Sequence, residues 1–208
     1  MNIVLHEPGI ALNTGNIGRS CAATDSSLHL IRPYGFHISE KEIKRAGMDY
    51  WDKIDLHEYI DYEDFLEKHP EISFGGEREK TGAEASKAYN NGGRSSLSNH
   101  TDSPAAEQND RAVGNAPRLW FATTKAHHAY TEVCFGPNDY IMLGNESRGI
   151  PEEILVQHPD ACIRIPMWGD IRSLNLANSA AIILYEALRQ NGFENMERYG
   201  ELHRLHWK

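Results

Sequence analysis

One stretch near the carboxyl end, Arg164 to Gln190, constrains the fold of this 208-residue chain more than any other. It predicts a short buried strand over Ile163 to Met167, a polar loop from Trp168 to Ser173, and then a helix. Apolar side chains recur on that helix at intervals of three and four, so one face must be buried. They are Leu176, Ala180, Ile183, Leu184 and Ala187.

Polar residues crowd the start of this helix. Ser173 and Asn175 are candidate N-caps, whose side-chain oxygens can accept hydrogen bonds from backbone N–H groups. Arg172 and Asn178 lie beside them, although a structural cap needs only one such residue. The stretch suits a ligand held by backbone groups, but strand, loop and helix are also the ordinary parts of an α/β domain.

Further apolar runs predict the remaining strands. They are Asn2–His6, Leu28–Ile31, Leu56–Ile60, Leu119–Ala122 and Tyr140–Leu143. A capping-box pattern at Ser39 predicts a short helix that ends near Gly47, and Asp61 is expected to cap another that runs to about His69. This alternation favours an α/β fold with a mostly parallel sheet and helices on both faces.

Between residues 73 and 117 the composition changes to Gly, Ser, Asn and charged residues. Such a segment buries too little surface to offset the entropy of ordering, so we expect a disordered or flexible insertion. The predicted organisation is one domain over residues 1–192, interrupted at 73–117 and followed by a tail over 193–208.

Charge and composition narrow the classes of function. The net charge of −9 argues against non-specific nucleic-acid binding, although a local basic patch such as Arg148 with Arg172 is compatible with it. No apolar run is long enough to span a membrane and no signal peptide is evident, so we expect a cytoplasmic protein. Cys21, Cys134 and Cys162 are expected to be buried free thiols. The histidines lack a convincing ligand spacing, and no metal is expected.

Two other segments are rich in glycine and asparagine. Residues 13–19, N-T-G-N-I-G-R, follow the first strand and are predicted to form a loop that opens onto a helix, a place suited to phosphate. Residues 144–151, G-N-E-S-R-G-I-P, follow the strand that ends at Leu143. Ligands of open α/β sheets bind at such carboxyl ends of strands. Either segment alone could equally be an ordinary turn.

Together, three segments resemble the SPOUT superfamily of methyltransferases: N-T-G-N-I-G-R, L-G-N-E-S-R-G-I-P and I-P-M-W-G-D-I-R-S-L-N-L-A-N-S-A-A-I-I-L-Y-E. Within it, the chain is most similar to the tRNA (cytidine(34)-2'-O)-methyltransferases, over about residues 1–70 and 118–192. The resemblance implies a SPOUT-type sheet with a C-terminal trefoil knot, a homodimer, tRNA as partner and S-adenosylmethionine as methyl donor. General topology rules would not predict the knot.

The resemblance also implies roles for single residues. The cofactor would be held largely by backbone groups of Ala122, Thr123, Gly144, Ile165, Ser173 and Leu174. The catalytic set would be Arg19, Asn13, Glu146 and Asn175. We expect Arg19 to bind the phosphate next to the reacting ribose and to stabilise developing negative oxygen. Asn13 and Glu146 would position Arg19 and the ribose, while Ser173 and Asn175 would order the cofactor loop.

The leading hypothesis is therefore a tRNA 2'-O-methyltransferase that acts on the wobble nucleotide, cytidine or uridine 34. The alternatives are a SPOUT 2'-O-methyltransferase of ribosomal RNA or of another tRNA position, and a catalytically silent knotted RNA-binding protein. One departure from the family pattern is Asp25-Ser26-Ser27, where a glycine is often seen before the second strand. We expect it to affect only the geometry of that turn.

Overall fold

The structure, a computed structural model, describes residues 1–36, 51–76 and 116–207. Its strands are β1 (Asn2–His6), β2 (Ser27–Ile31), β3 (Leu56–Tyr59), β4 (Ser73–Phe74), β5 (Arg118–Ala122), β6 (His128–Ala129), β7 (Tyr140–Leu143) and β8 (Cys162–Arg164). Its α-helices are α1 (Ala11–Thr24), α2 (Tyr62–Lys68), α3 (Glu152–Leu155) and α4 (Leu176–Gln190). Short 3-10 turns lie at Trp51–Lys53 and Pro159–Ala161.

All eight strands belong to one sheet with the order β3-β2-β1-β7-β5-β8-β6, and β4 also pairs with β5. Every pairing between these named strands is parallel, which confirms the predicted mostly parallel α/β sheet. Because parallel strands share one direction, all their carboxyl ends lie along one edge of the sheet. The loops after β7, β5 and β8 are therefore neighbours, although they are far apart in sequence.

Helices cover both faces of the sheet, as predicted. On one face, strand residues pack with α1 and α4 in a core that includes Ile3, Leu5, Ile17, Trp120, Ile141, Ile163 and Leu184. On the other face, alternate residues pack with α2 and α3 in a core that includes Val4, Phe65, Phe121, Met142 and Leu155. Successive strand residues point to opposite faces, so each central strand contributes to both cores.

The strand and the helix predicted within residues 163–190 have slightly different limits in the structure. β8 ends at Arg164, so the predicted strand to Met167 is wrong at its carboxyl end. Pro166 has no N–H to donate to a strand ladder, which explains the early end. Asn175 caps α4, because its side chain accepts hydrogen bonds from the N–H of Ala177 and Asn178. Of the two predicted N-caps, Asn175 is therefore the correct one.

The prediction of a loop over residues 13–19 is wrong, since these residues lie inside α1. Asn and Gly are weak helix formers, but tertiary packing overrides that preference here. A Cβ on Gly18 would lie 2.7 Å from Ile54 Cδ1, so the glycine lets α1 pack tightly on the residues just after the 3-10 turn at Trp51–Lys53. The free helix N-terminus expected near Ser20 does not exist.

The ends of the predicted insertion are partly ordered. Ser73 and Phe74 form β4 and pair with Arg118 and Leu119 of β5. Residues 77–115, which make up most of the insertion, lie outside the described residues. The helix predicted between Ser39 and Gly47 lies outside them as well.

Two local predictions concern single side chains. Cys21 and Cys162 are buried free thiols, as predicted, but Cys134 is exposed, which corrects its placement.

Asp25 ends α1 in a left-handed conformation, with φ 51° and ψ 43°. A glycine adopts that conformation without strain, so the departure noted at this turn is a matter of backbone geometry.

A buried polar cluster lies on the α2 face of the sheet. His29 of β2 stacks on His57 with ring centroids 4.8 Å apart. Its Nδ1 shares a hydrogen bond of 2.8 Å with Tyr59 Oη, which shares another of 2.8 Å with His69 Nε2. The pKa of His29 is lowered to about 3, chiefly by burial and to a smaller extent by the neighbouring His57 and His69. His29 is therefore neutral in the folded protein at ordinary pH.

Beyond α4, residues 191–207 contain turns and irregular structure only. In this tail Trp207 Nε1 donates a hydrogen bond of 3.3 Å to the carbonyl of Gly200. Among the described helices, none combines the length and the apolar character that crossing a membrane requires.

Candidate cofactor and active site

A cavity of about 400 Å³ opens at the carboxyl edge of the sheet, where β7, β5 and β8 end. Its size is within the range of small-molecule sites, and its position is the one where α/β sheets bind ligands. Nine of the ten predicted site residues line it. They are Asn13, Ala122, Thr123, Gly144, Glu146, Ile165, Ser173, Leu174 and Asn175.

Arg19 is the predicted site residue that does not line this cavity. It lies on the exposed side of α1, six residues after Asn13. Six residues turn an α-helix by about 600°, so the two side chains project about 120° apart around the axis. Within one chain, therefore, Arg19 is separated from the three other residues of the predicted catalytic set.

Those three residues form a continuous chain of hydrogen bonds. Asn175 Nδ2 donates to Asn13 Oδ1 at 3.0 Å, and Asn13 Nδ2 donates to Glu146 Oε1 at 2.9 Å. The other carboxylate oxygen, Glu146 Oε2, accepts from the backbone N–H of Gly9 at 2.8 Å. We call this arrangement the Glu146–Asn13–Asn175 chain. It connects the loop after β7 to α1 and to the start of α4.

The direction of this chain is set by backbone groups at both ends. Asn175 Oδ1 accepts from the N–H of Ala177 at 2.9 Å, which leaves its Nδ2 to donate to Asn13. Glu146 accepts a hydrogen bond at each of its two oxygens. Each of these oxygens has a second lone pair, which a ligand hydroxyl or amide could use.

The loop after β7 is a tight turn that only glycine permits at its first position. A Cβ on Gly144 would lie 2.2 Å from the carbonyl carbon of Gly149, so no other residue fits there. Gly149, with φ 75°, donates its N–H to the carbonyl of Asn145 at 2.7 Å. Asn145 in turn donates from Nδ2 to the carbonyl of Glu7 at 2.8 Å, which fixes the loop to the end of β1.

The remaining predicted cofactor residues lie on two other loops. Ala122 ends β5, and the N–H of Thr123 donates to the carbonyl of Ile163 at 2.9 Å, so that N–H is engaged within the sheet. Ser173 and Leu174 lie on the exposed segment before α4. These loops form walls of one cavity because β5, β7 and β8 are adjacent in the sheet.

Four cationic residues are among those that line the cavity: Lys125, Arg148, Arg164 and Arg172. Arg148 Nη2 donates to Glu7 Oε2 at 2.7 Å, and Lys125 pairs with Glu152 and lowers the pKa of that carboxyl. Arg172 is exposed to solvent. Arg164 differs from these, because its Nε is buried and has no hydrogen-bond partner in the described residues.

Sequence reasoning did not identify Glu7, Gly9 and Arg164 as parts of the site. Glu7 adopts φ 51°, a left-handed conformation that its residue type does not signal. Gly9 contributes through its backbone N–H, which every residue except proline has. A signal existed for Arg164, since a charged residue at the carboxyl end of a buried strand is placed where α/β sheets bind ligands.

A parallel α/β sheet with a cavity at the carboxyl ends of its central strands defines an α/β ligand-binding domain. The particular family follows from sequence. The chain belongs to the SpoU rRNA Methylase family, which matches residues 1–76 and 84–185.

Individual relatives support this assignment, and their similarity to this chain covers nearly their whole length. The chain is 36% identical over 195 residues to a tRNA (cytidine(34)-2'-O)-methyltransferase from Photorhabdus asymbiotica, with 93% of this chain and 95% of the relative covered. A Lactococcus lactis protein with a provisional name for the same activity is 37% identical, with 94% and 92% covered.

Solved structures share the fold. One, described as giving structural insights into the 2-OH methylation of C/U34 on tRNA, is 32% identical with a TM-score of 0.67, and 92% of this chain and 95% of that chain are covered. The SpoU methyltransferase AviRb from Streptomyces viridochromogenes, in complex with AdoMet, is 19% identical with a TM-score of 0.64, and 95% and 59% are covered. At that identity, the likeness to AviRb concerns the fold alone.

Proposed function

We propose that this protein transfers a methyl group from S-adenosylmethionine to the ribose 2'-hydroxyl of the wobble nucleotide, cytidine or uridine 34, of tRNA. The observation that carries the proposal is the Glu146–Asn13–Asn175 chain of hydrogen bonds on the wall of the cavity. It occurs in a protein whose sequence is similar over its length to enzymes named for this reaction. A silent RNA-binding relative would not need three polar side chains aligned in this way.

The cavity fits S-adenosylmethionine by its size and by the groups on its walls. Its volume of about 400 Å³ suits a nucleoside with an amino-acid arm, and its walls carry both apolar and polar residues. Ala122, Thr123, Gly144, Ile165, Ser173 and Leu174 would hold the cofactor. When bound, the cofactor supplies an electrophilic methyl group on a sulfonium.

In the reaction, a bond forms between the ribose 2'-oxygen and the methyl carbon while the carbon–sulfur bond breaks. The hydroxyl proton passes to the adjacent phosphate or to water, and the sulfonium becomes a neutral thioether. Glu146 faces the cavity with lone pairs available, so it can accept a hydrogen bond from the ribose and fix its orientation. Asn13 and Asn175 hold the carboxylate in that place.

Arg19 enters this scheme as a residue that binds RNA phosphate. A guanidinium group donates hydrogen bonds and has no acceptor, so we assign Arg19 to the phosphate beside the reacting ribose and to developing negative oxygen. Because Arg19 lies outside the cavity of its own chain, a second chain would have to bring it to the reaction. A homodimer satisfies this requirement.

The surface of α1 and α4 supports the homodimer. Leu12 is 61% exposed on α1, and Ile182 and Tyr185 are 36% and 44% exposed on α4. Large exposed apolar residues on two helices of the same sheet face are typical of an interface.

We further propose that the segment from β8 to α4 is threaded as a trefoil knot, and that the enzyme acts in the cytoplasm. Support for the knot is the resemblance of the third motif to the SPOUT pattern.

The decisive experiment is methyl transfer followed by mapping of the product. Purified protein, radiolabelled S-adenosylmethionine and unmodified tRNA should yield one labelled 2'-O-methyl nucleotide at position 34. Label at another tRNA position, or label only in ribosomal RNA offered in parallel, would replace the wobble assignment with the corresponding alternative. No label in either RNA, from protein that binds the cofactor, would contradict the enzyme assignment.

A further inference from the structure

We propose that Asn145 positions the carboxylate of Glu146 for methyl transfer, because its side chain joins the turn after β7 to the end of β1. The inference rests on the proposed function and deepens it, since Glu146 is the group to which we assign the ribose. Asn145 belongs neither to the catalytic set nor to the cofactor set predicted from the sequence. Its role is that of a positioning residue, which acts on the substrate through Glu146.

The side chain of Asn145 is almost fully engaged within the protein. Its Nδ2 donates a hydrogen bond of 2.8 Å to the carbonyl of Glu7. Its Oδ1 accepts from the backbone N–H groups of Ser147 at 2.9 Å and Arg148 at 3.2 Å. A primary amide can make four hydrogen bonds, two as donor and two as acceptor. Three of the four are formed inside the protein, so this side chain holds structure rather than a ligand.

The bonds to Asn145 fix the backbone on both sides of Glu146. The bond from the N–H of Ser147 to Oδ1 closes an Asx turn, which an asparagine side chain forms with the backbone two residues further on. The backbone carbonyl of Asn145 also accepts the N–H of Gly149 at 2.7 Å. Glu146 therefore lies in a turn that is held before and after it.

Two hydrogen bonds join this turn to the segment that follows β1. One is the bond from Asn145 Nδ2 to the carbonyl of Glu7, and the other runs from the N–H of Gly9 to Glu146 Oε2 at 2.8 Å. We call this pair of bonds the Glu7–Gly9 clamp. Pro8 lies between its two ends, and its ring restricts the backbone there. A shift of Glu7 away from Asn145 would therefore also move the donor that fixes the carboxylate.

The backbone of Glu7 shows that this bend is imposed from outside. Glu7 has φ 51°, a left-handed conformation that a residue with a Cβ rarely adopts. Such conformations persist where the surroundings hold them, and they are concentrated at functional sites. The N–H of Glu7 donates to the carbonyl of Ile31 at 3.0 Å, and its carbonyl accepts from Asn145. The carboxylate pairs with Arg148, but that side chain is 70% exposed, so the ion pair contributes little.

The two segments of the clamp lie as close together as a glycine allows. A Cβ on Gly9 would lie 3.1 Å from both Asn145 Nδ2 and Glu146 Oε2. Because no space remains between these groups, loss of the Asn145 amide changes the place of the carboxylate. A reacting group that is misplaced by about 1 Å can cost about 100-fold in rate.

The test is a double-mutant cycle, with single-turnover methyl transfer to unmodified tRNA as the readout. Asn145→Ala should lower the rate about 10- to 100-fold. In a Glu146→Ala background the same change should cost less than about threefold, because the group that Asn145 positions is absent. Affinity for S-adenosylhomocysteine, measured by calorimetry, should stay within about threefold of wild type.

The matched control is Asn138→Ala. Asn138 is an exposed asparagine two residues before β7, whereas Asn145 lies two residues after it. The control variant should keep the wild-type rate within about twofold, because the amino ends of parallel strands lie at the sheet edge opposite the cavity. A loss in the control equal to that in Asn145→Ala would overturn the inference.

The other outcomes are equally decisive. A wild-type rate in Asn145→Ala, or the same loss with and without Glu146, overturns the positioning role. A fall in cofactor affinity that accounts for the whole loss of rate would assign Asn145 to the cofactor instead. If Asn145→Ala does not fold, Asn145→Asp serves, since it keeps the acceptor of the turn and lacks the donor to Glu7; a wild-type rate in that variant counts against the clamp. Wild-type protein that transfers no methyl group contradicts the proposed function itself.

Discussion

Asn13 and Asn175 lie 162 positions apart in the chain, yet Asn175 Nδ2 donates a hydrogen bond of 3.0 Å to Asn13 Oδ1. The bond joins α1 to the start of α4, and through Asn13 it reaches the carboxylate of Glu146. Asn175 therefore has two functions, since its Oδ1 also caps α4. Substitutions can separate them.

Asn175→Ala should lower the free energy of unfolding by about 1–2 kcal/mol through loss of the cap, whereas Asn175→Ser should recover most of that loss. Both variants should reduce the rate of methyl transfer at least about tenfold, because Asn13 and Glu146 lose the donor that orients them. Chemical denaturation and single-turnover transfer assays measure the two effects. An Asn175→Ser variant with the full rate would show that the link to Asn13 has no role in transfer.

Arg19→Ala should lower the transfer rate by roughly 10²- to 10³-fold, the range for loss of a donor to developing negative charge. Cofactor affinity should stay within about twofold of wild type, because Arg19 does not line the cavity of its own chain. Calorimetry with S-adenosylhomocysteine and a transfer assay test both parts. A collapse of cofactor binding in Arg19→Ala would contradict the role assigned to this residue.

Gly144→Ala should destabilise the fold by about 1–3 kcal/mol or more, because its Cβ would lie 2.2 Å from backbone atoms of Gly149. The turn after β7 would have to open, and cofactor affinity should fall with it. Gly200→Ala is the control, since a Cβ at Gly200 meets nothing within 4 Å. Thermal unfolding with and without S-adenosylhomocysteine compares the two. Equal melting temperatures for Gly144→Ala and Gly200→Ala would refute this account of the turn.

Stability should fall as the solution is acidified through the range set by His29. Its folded pKa is about 3 and the ordinary pKa of a histidine is 6.5, so the unfolded chain binds a proton first as pH falls. The contribution of His29 is complete above about pH 6.5 and is lost progressively down to about pH 3, with a limit of about 1.4 kcal/mol per pH unit. Urea denaturation between pH 7.5 and 4.5 measures the slope. His29→Phe should reduce it, and an unchanged slope would assign the acid sensitivity to other groups.

Asp25→Gly should raise the free energy of unfolding by about 0.5–1 kcal/mol, because Asp25 has φ 51° and glycine adopts this conformation without a Cβ clash. Asp25→Ala is the informative comparison, since it removes the same carboxylate and keeps a Cβ. Thermal denaturation should rank glycine above aspartate and aspartate at or above alanine. If both variants gained stability equally, charge rather than backbone geometry would be the cause.

The sequence was sufficient to predict the sheet but not every boundary. Apolar runs such as Asn2–His6 and Tyr140–Leu143 are long enough to identify strands, and their limits match the structure. Residues 13–19 were misassigned because Gly and Asn are local signals for turns, while the packing of Gly18 against Ile54 depends on a distant segment. Local preference loses to tertiary contact in such cases.

The same reasoning explains what could be predicted of the site. Asn13, Glu146 and Asn175 were found because they belong to three motifs that resemble one family, and the structure brings them into hydrogen-bond contact. The unsatisfied Nε of Arg164 and the left-handed Glu7 depend on which atoms surround them. No pattern of neighbouring residues along the chain records that information.

The residues that line the cavity run in sequence from Ile10 to Ile183. Almost the whole polypeptide must therefore be synthesised before the binding site exists. A growing chain on the ribosome cannot use the cofactor as a template for its early folding. Only a completed chain can bind the cofactor. A carboxyl-terminal truncation that removes α4 would abolish cofactor binding together with the native core.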